Sequence, residues 1–544
     1  MPFRFFLAAA LLGASASVSL AEEAPAPRAS GDVAKAEPSA AAALDQKILA
    51  EVKARSEVMA NLRHLSDVIG PRLTGSKNLE VANNWAADRM KAYGLENVRL
   101  EPWEIPVGWE RGTATMTLVE PNQGRVLLVA SRGWTPGTKG KVTGEVVFLE
   151  AKTKADLLKF KGKLKNAVVM RAPPATVAPV SDMTYGPSAG AKKDDVKKDA
   201  PKPDDVKKDE PKKDDAKKDE PKADGPPRSA FAEAMALRRE MDEFLKSEGV
   251  AAVISDAGKP HGLLVTTGGW REGDRATAQD PLPSLFMAHE HYALLHRLAT
   301  RTGVAAPRVE VEVSNAFVAG PVEVYNTVGE IRGGEKPDEI VVVGAHLDSW
   351  DLGTGTTDNG TGSTVTLEVA RTLAKLAKEG HRPKRTIRFV LFTGEEQGLY
   401  GSKRYCERHK AELPKHSVSL VHDTGTGQVL GFGLQGRDAV RKVLDPELDT
   451  LKSLPGWKGL DLGSLNGTDH QSFEAAGVPG FACRQEMDEY RLTHHTQSDT
   501  FDKAKEPNLV QGAGVIAVTA TRIANLPDLL PRDKPPTLKR ERKE

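Results

Sequence analysis

The chain has 544 residues, 39% of them hydrophobic, and a formal net charge of +1 at pH 7. That length allows two or three domains and a sizeable core. The near-neutral balance excludes the strongly basic field that a nucleic-acid partner or an anionic membrane surface would demand.

Residues 1–21 read as an export signal. Arg4 supplies a positive start, residues 5–12 an apolar run, and Ser19-Leu20-Ala21 a small-x-small cleavage site. The run is too short to span a bilayer, which takes about 20 apolar residues. No later segment is apolar enough, and no cysteine follows the cleavage site to carry a lipid. The expected location is therefore exported, either periplasmic or secreted. Residues 22–43, rich in Ala, Pro and Glu, read as a disordered leader. Apolar residues then recur at helical spacing over 44–65, and again over 79–93, where Gly94 stops the pattern.

Strand-like runs at 145–149, 167–170 and 251–254 suggest a small β-rich domain. Between the second and third of them lies a Lys/Asp/Pro-rich decapeptide repeated three times over residues 192–221. Its basic and acidic side chains balance, and almost nothing apolar is available to bury. Ordering entropy is then not offset, so the segment reads as a solvated spacer within a surface loop.

Residues 340–345, Ile-Val-Val-Val-Gly-Ala, have the continuous apolar character of a strand buried on both faces. The run delivers His346, followed by Asp348. Alternation puts both side chains on one side, so His346 can bind a metal while Asp348 fixes its tautomer. A Gly-rich loop spans 353–360, and a helix starts near Gly362 with Val365, Val369, Leu373 and Leu376 on one face. The loop has neither G-x-G-x-x-G nor a Walker lysine. It carries Asp358 where a phosphate would want amides, which suits metal bridging better.

The next strand, 386–392, ends in Gly394-Glu395-Glu396-Gln397-Gly398. Taken alone, the two acids read first as a helix N-terminus, where they favour the macrodipole. Beside a cation, one could ligate while its neighbour handles protons. A third strand, 418–421, leads to His422 and Asp423, and His494 and His495 open the run His-His-Thr-Gln-Ser-Asp-Thr. Each residue alone would most often be structural. Jointly, three apolar strands that deliver Asp, Glu or His at their C-terminal ends describe the ligand crevice of an open α/β sheet. The two cysteines, Cys406 and Cys483, have no C-x-x-C spacing, which argues against a thiolate metal site. Export would permit a disulfide between them, but two buried free thiols are the simpler reading. A last helix is expected over 509–523, and a frayed basic tail over 532–544.

Five segments carry a family resemblance: H-L-D-S-W-D-x-G from His346, T-D-N-G from Thr357, the G-E-E-Q-G turn, G-T-D with A-G-V-P downstream, and H-H-T-x-x-D-T from His494. Together they resemble the di-zinc exopeptidases of the leucyl aminopeptidase and plasma glutamate carboxypeptidase (carboxypeptidase Q) type. Gly70-Pro71-Arg72-Leu73-Thr74-Gly75-Ser76 resembles that family's start. The likeness covers roughly residues 45–108 and 316–525.

The resemblance implies a zinc exopeptidase fold: an α/β protein with a mixed, mostly parallel central sheet flanked by helices. The zinc peptidase domain would be formed by 44–108 and 316–531. A small β-rich, protease-associated-like domain would be inserted at 109–315, with the charged spacer at 184–228. The implied cofactors are two zinc ions. One takes His346 and Asp423, the other Glu396 and His495, and Asp358 bridges them. Three carboxylates against two dications leave a surplus positive charge for hydroxide or a substrate carbonyl. Glu395 is the implied general base and Asp348 the support for His346; Tyr490 and His494 are candidates for substrate contact that the resemblance does not fix. The Asp358–Asn359 bond is expected to be cis. The implied activity is hydrolysis of terminal bonds in peptides or dipeptides by metal-held hydroxide, by a chain without a membrane span and plausibly a homodimer. The competing expectation is a catalytically silent receptor or peptide-binding protein on the same fold.

Overall fold

The computed structural model describes residues 39–121, 124–177, 228–270, 282–487 and 489–533. The export signal, residues 22–38 of the leader, the charged spacer up to residue 227 and the tail from 534 lie outside the described residues.

Two sheets alternate along the chain. It enters the first through β1 (Glu96–Ile105) and leaves through β2 (Gly108–Glu110). It then builds a second sheet from β3 (Ala114–Glu120), β4 (Arg125–Leu127), β5 (Val129–Ser131), β6 (Val142–Phe148), β7 (Val168–Met170), β8 (Ala252–Asp256), β9 (Ser284–Met287) and β10 (Arg308–Val313). It returns through β11 (Ala316–Val318), which pairs antiparallel with β2, so the outgoing and incoming connections are stitched together. The first sheet is completed by β12 (Val322–Ile331), β13 (Lys336–His346), β14 (Arg385–Phe392), β15 (His416–Val421), β16 (Val429–Phe432) and β17 (Gly480–Gln485).

The first sheet has the order β1-β12-β14-β13-β15-β17-β16. Its centre is parallel, β14 to β13 to β15 to β17, and its flanking pairs are antiparallel. This is the mixed, centrally parallel α/β arrangement expected from the sequence. A parallel centre must be covered on both faces, and β14 and β15 are buried at every position. Alternation divides the side chains. Val341 and Val343 join Val365, Val369 and Ile516 on one face, while Ile340 and Val342 join Phe392 and Phe473 on the other. The second sheet, β4-β3-β10-β6-β7-β8-β9-β5, has its own core around Val168, Ile254 and Val309.

Several elements depart from the sequence reading. The first helix, Ala40–Arg55, begins inside the expected leader because the Ser39 hydroxyl accepts the Ala42 N–H. Asp45 pairs with Arg522 at 2.6 Å, and Glu51 pairs with both Arg371 and Lys375, which fixes this helix onto two core helices. The periodicity over 44–65 hides a break. Ser56 is extended, the Glu57 N–H donates to Glu368, and a second helix runs Val58–Arg63. Helices Arg228–Ser247 and His289–Ala299 were not anticipated. Arg532, at the start of the expected tail, donates from its guanidinium to the carbonyls of Leu413, Pro414, His416 and Gly477. Cys406 and Cys483 are buried free thiols. Among the described residues no helix is long and apolar enough to cross a membrane.

Candidate metal centre

The parallel strands all end at one edge, and their C-terminal ends carry the chemistry. His346 is the last residue of β13. Its Nδ1 lies 2.9 Å from the Asp348 carbonyl oxygen and 3.7 Å from the Asp348 carboxylate. The backbone carbonyl is thus the ring's shorter Nδ1 contact, with the Asp348 carboxylate behind it. That carboxylate also accepts the Thr74 hydroxyl at 3.0 Å and the Glu395 and Glu396 N–H groups at 3.3 Å. It therefore shapes the turn after β14. That turn is no helix N-terminus. The Gly398 and Leu399 N–H groups close it on the Glu395 carbonyl, and the following helix starts at Tyr400.

The five side chains expected to ligate come together. His346 Nε2 lies 2.9 Å from Asp423 Oδ1, and His495 Nε2 lies 2.9 Å from Glu396 Oε2. Asp358 stands between these pairs: its Oδ1 is 3.5 Å from His346 Nε2 and its Oδ2 is 3.4 Å from His495 Nε2. Glu395 Oε2 is 3.9 Å from His346 Nε2. Of the two adjacent histidines, His494 is farther from Asp358, at 3.8 Å, and stacks on the His495 ring at 3.7 Å. The Asp358–Asn359 peptide bond is cis, as expected.

Burial and mutual charge set the protonation of this cluster. Burial pushes Glu395 and Glu396 well above the ordinary carboxylate range; the charges of Asp423 and Asp358 add to this, and His346 opposes it. Burial also raises Asp423. It raises Asp358 too, but the surrounding histidines outweigh it and hold that carboxyl low. Burial alone would lower His346, yet Asp423 and Glu395 lift it well above normal. Burial lowers His494 to about 4. Buried acids in excess of their basic neighbours need a cation to remain ionised together. Asp358 Oδ2 and Glu396 Oε1 are buried without a hydrogen-bond partner among the described residues. Imidazole and carboxylate donors with such open lone pairs fit a divalent cation of the zinc type.

Four residues around the centre escaped the sequence reading as functional. Asp499 accepts the Thr357 N–H at 2.5 Å and the Asp358 N–H at 3.1 Å, and so fixes the loop that presents Asp358. Burial and the Asp358 charge raise it to about 7. Asp469, from the Gly-Thr-Asp segment, is buried and likewise raised to about 7. Lys259 reaches over from the second sheet's loops and donates to the carbonyls of Arg491 and His494 at 2.5 and 2.8 Å. The Thr266 N–H adds a bond to the His495 carbonyl at 3.0 Å. The second sheet's connections thus hold the segment that carries both histidines. Tyr490 packs its ring 5.2 Å from His494, against Gly425. A Cβ at Gly425 would sit 2.7 Å from the tyrosine ring, and its φ of +68° favours glycine independently.

Arg72 is the fourth. It is fully buried, and its guanidinium donates to the carbonyls of Gly70, Leu347, Thr354 and Gly355 at 2.7–3.1 Å. It thereby ties the His346 and Asp358 loops together. Arg72→Met should leave those carbonyls without donors and lower unfolding stability by about 4 kcal/mol. Urea unfolding checks this, and a loss under about 1 kcal/mol would show that the loops hold without it.

Comparisons with known proteins agree with this geometry. Residues 326–520 match the model of peptidase family M28. The chain is 29% identical over 482 residues to carboxypeptidase Q of Bos taurus, covering 88% of each protein, and 27% identical over the same length to that of Homo sapiens. Among solved structures, the peptidase M28 precursor of Shewanella amazonensis SB2B superposes with a TM-score of 0.66 at 25% identity, covering 91% of this chain and 99% of that one. BSAP, a zinc aminopeptidase from Bacillus subtilis, shares the fold with a TM-score of 0.54 at 19% identity, covering 85% of this chain and 93% of that one. Residues 326–520 thus match the model of peptidase family M28, and the chain is similar to carboxypeptidase Q over most of its length.

Proposed function

We propose that this chain is an exported zinc exopeptidase that hydrolyses the terminal bond of short peptides or dipeptides at a two-ion centre. The observation that supports this best is the placement of Asp358. Its two oxygens face opposite histidines, each of which is already paired with a further carboxylate. Such an arrangement suits His346 and Asp423 as ligands of one ion, Glu396 and His495 as ligands of the other, and Asp358 as the bridge. Zinc bound there would bring water to ionise near neutrality and polarise the scissile carbonyl. Among the chain's own groups, Glu395 lies beside the cluster outside the five donors, placed to take a proton from water and return it to the departing amine. Tyr490 and His494, packed ring to ring beside Asp358, are the candidates for substrate contact. Export rests on the N-terminal signal pattern, and an inserted domain at 109–315 is supported by the second sheet, whose strands all fall between those bounds.

The test joins metal content to turnover. The purified chain should hold about two zinc ions, lose activity with a chelator and regain it on zinc addition. Free dipeptides should be cleaved, and comparison with N-acetylated and C-amidated forms assigns the terminus that is read. A chain without bound zinc and without turnover on any of them would instead be a binding protein on the same scaffold.

A further inference from the structure

The two histidines of the proposed ligand set are held in different ways. His346 closes a central strand: β13 is paired with β14 on one side and β15 on the other, and the Ser363 hydroxyl donates to the His346 carbonyl at 2.7 Å. His495 belongs to a loop. Its φ of +60° lies in the left-handed region, which a residue other than glycine keeps only where its neighbours enforce it.

Those neighbours come from the second sheet. Residues 257–270 follow β8 and run along the His495 loop. The Lys259 ammonium donates to the Arg491 and His494 carbonyls at 2.5 and 2.8 Å. Val265 pairs antiparallel with Thr496, and the Thr266 N–H donates to the His495 carbonyl at 3.0 Å. The Leu264 N–H donates to Gln497 Oε1 at 2.8 Å. The segment is itself rooted in the second sheet's half of the molecule. Glu290 accepts the His261 and Gly262 N–H groups at 2.8 and 3.2 Å, and Asp256 accepts the Gly258 N–H at 2.9 Å. Towards its far end, the Gly133 N–H donates to the Thr267 carbonyl at 3.0 Å. The carbonyl before His495 and its own carbonyl are thus both bonded to this segment, while its ring meets Glu396 at 2.9 Å and Asp358 at 3.4 Å.

We infer that Lys259 is a positioning residue for His495, so that the ion proposed for Glu396 and His495 is held firmly only while residues 257–270 are docked on the His495 loop. This rests on the two-ion reading above and adds to it an asymmetry between the ions and a role for the second sheet. Charge alone predicts the opposite sign. An ammonium near a dication repels it, so its removal would tighten zinc binding. Loss of a group that orients a ligand weakens metal binding instead, by about ten- to a hundredfold. The sign of the change therefore separates the two effects.

Zinc titration of the metal-free full chain against a chromophoric chelator tests this without turnover. The wild type should show two binding steps. Lys259→Met should weaken one of them by about ten- to a hundredfold and leave the other within about threefold. In a His495→Ala background, the one remaining ion should bind equally well with and without Lys259, which a general loss of structure would not produce. Glu290→Ala, which loosens the segment at its root and touches no proposed ligand, should weaken the same step by a few fold, and it carries the test if Lys259→Met does not fold. Without metal, amide exchange over residues 490–497 should accelerate about tenfold in Lys259→Met. Equal weakening of both steps, an unchanged titration or tighter binding overturns the proposal, and so does unchanged exchange. A wild type that takes up fewer than two ions removes the two-ion reading, and accelerated exchange would then still establish Lys259 as the support of His495.

Discussion

Glu395→Gln should reduce kcat on a cleaved dipeptide by about a thousandfold while leaving bound zinc and the melting temperature unchanged. The expectation follows from position. Glu395 lies 3.9 Å from His346 Nε2, against 2.9 Å for Asp423, so it borders the donor set without completing it. The neighbouring Glu396 holds the short contact to His495. Adjacent residues in a tight turn point in different directions, which lets one serve the cation and the other the proton. Glutamine keeps the shape and the backbone contact to Asp348 but accepts no proton at neutral pH. KM should move by no more than a few fold, because a group that acts only as the bond breaks contributes little to ground-state binding. Near-normal turnover in this variant would remove Glu395 from the mechanism. Loss of zinc with retained shape would instead make it a ligand.

The strands and their cargo were legible because apolar runs buried on both faces are hard to mistake, and because three of them deliver acids or histidines at the same end, a joint pattern that no one of these residues carries alone. His346, Glu395, Glu396 and Asp423 were found that way. His495 was different. Nothing in His-His distinguishes the two rings, and only the family resemblance selected the second; in the fold it is His495 that contacts Glu396. Asp499, Lys259 and Arg72 act by hydrogen bonds to backbone groups far away in sequence, and such bonds leave no periodic trace. Lys259 was further hidden by lying in the other sheet's connections, where a lone lysine reads as a solvated surface charge. The break at Ser56 was invisible for the opposite reason: apolar spacing continued across it while a buried carboxylate, Glu368, captured the backbone. Asp348 was placed beside His346, but its bonds to Thr74 and to the Glu395 and Glu396 N–H groups were not foreseen, since alternation predicts a face and not which donors meet on it.

The second large effect belongs to Asp358. Asp358→Ala should lose at least half of the bound zinc and lower activity by more than a thousandfold, yet metal-free variant and metal-free wild type should melt within a few degrees of each other. The reasoning concerns charge. Without cations, Asp358 is a buried acid beside Glu396, Asp423 and Glu395, held ionised by the histidines around it. Removing it relieves repulsion among the remaining carboxylates while it weakens the hold on the histidines, and these effects oppose each other. The loop itself is retained by Asp499 through backbone N–H groups that alanine still possesses. Zinc should then separate the proteins. A ligand that binds only the folded state at a thousand times its Kd adds about 4 kcal/mol. The wild type should therefore show a large upward melting shift on zinc addition, and the variant a much smaller one. If both shift equally, Asp358 does not bridge the ions. If the metal-free variant fails to fold, the residue's role lies in building the loop, and Asp358→Asn, which keeps the shape and one oxygen, should then fold and still bind zinc poorly.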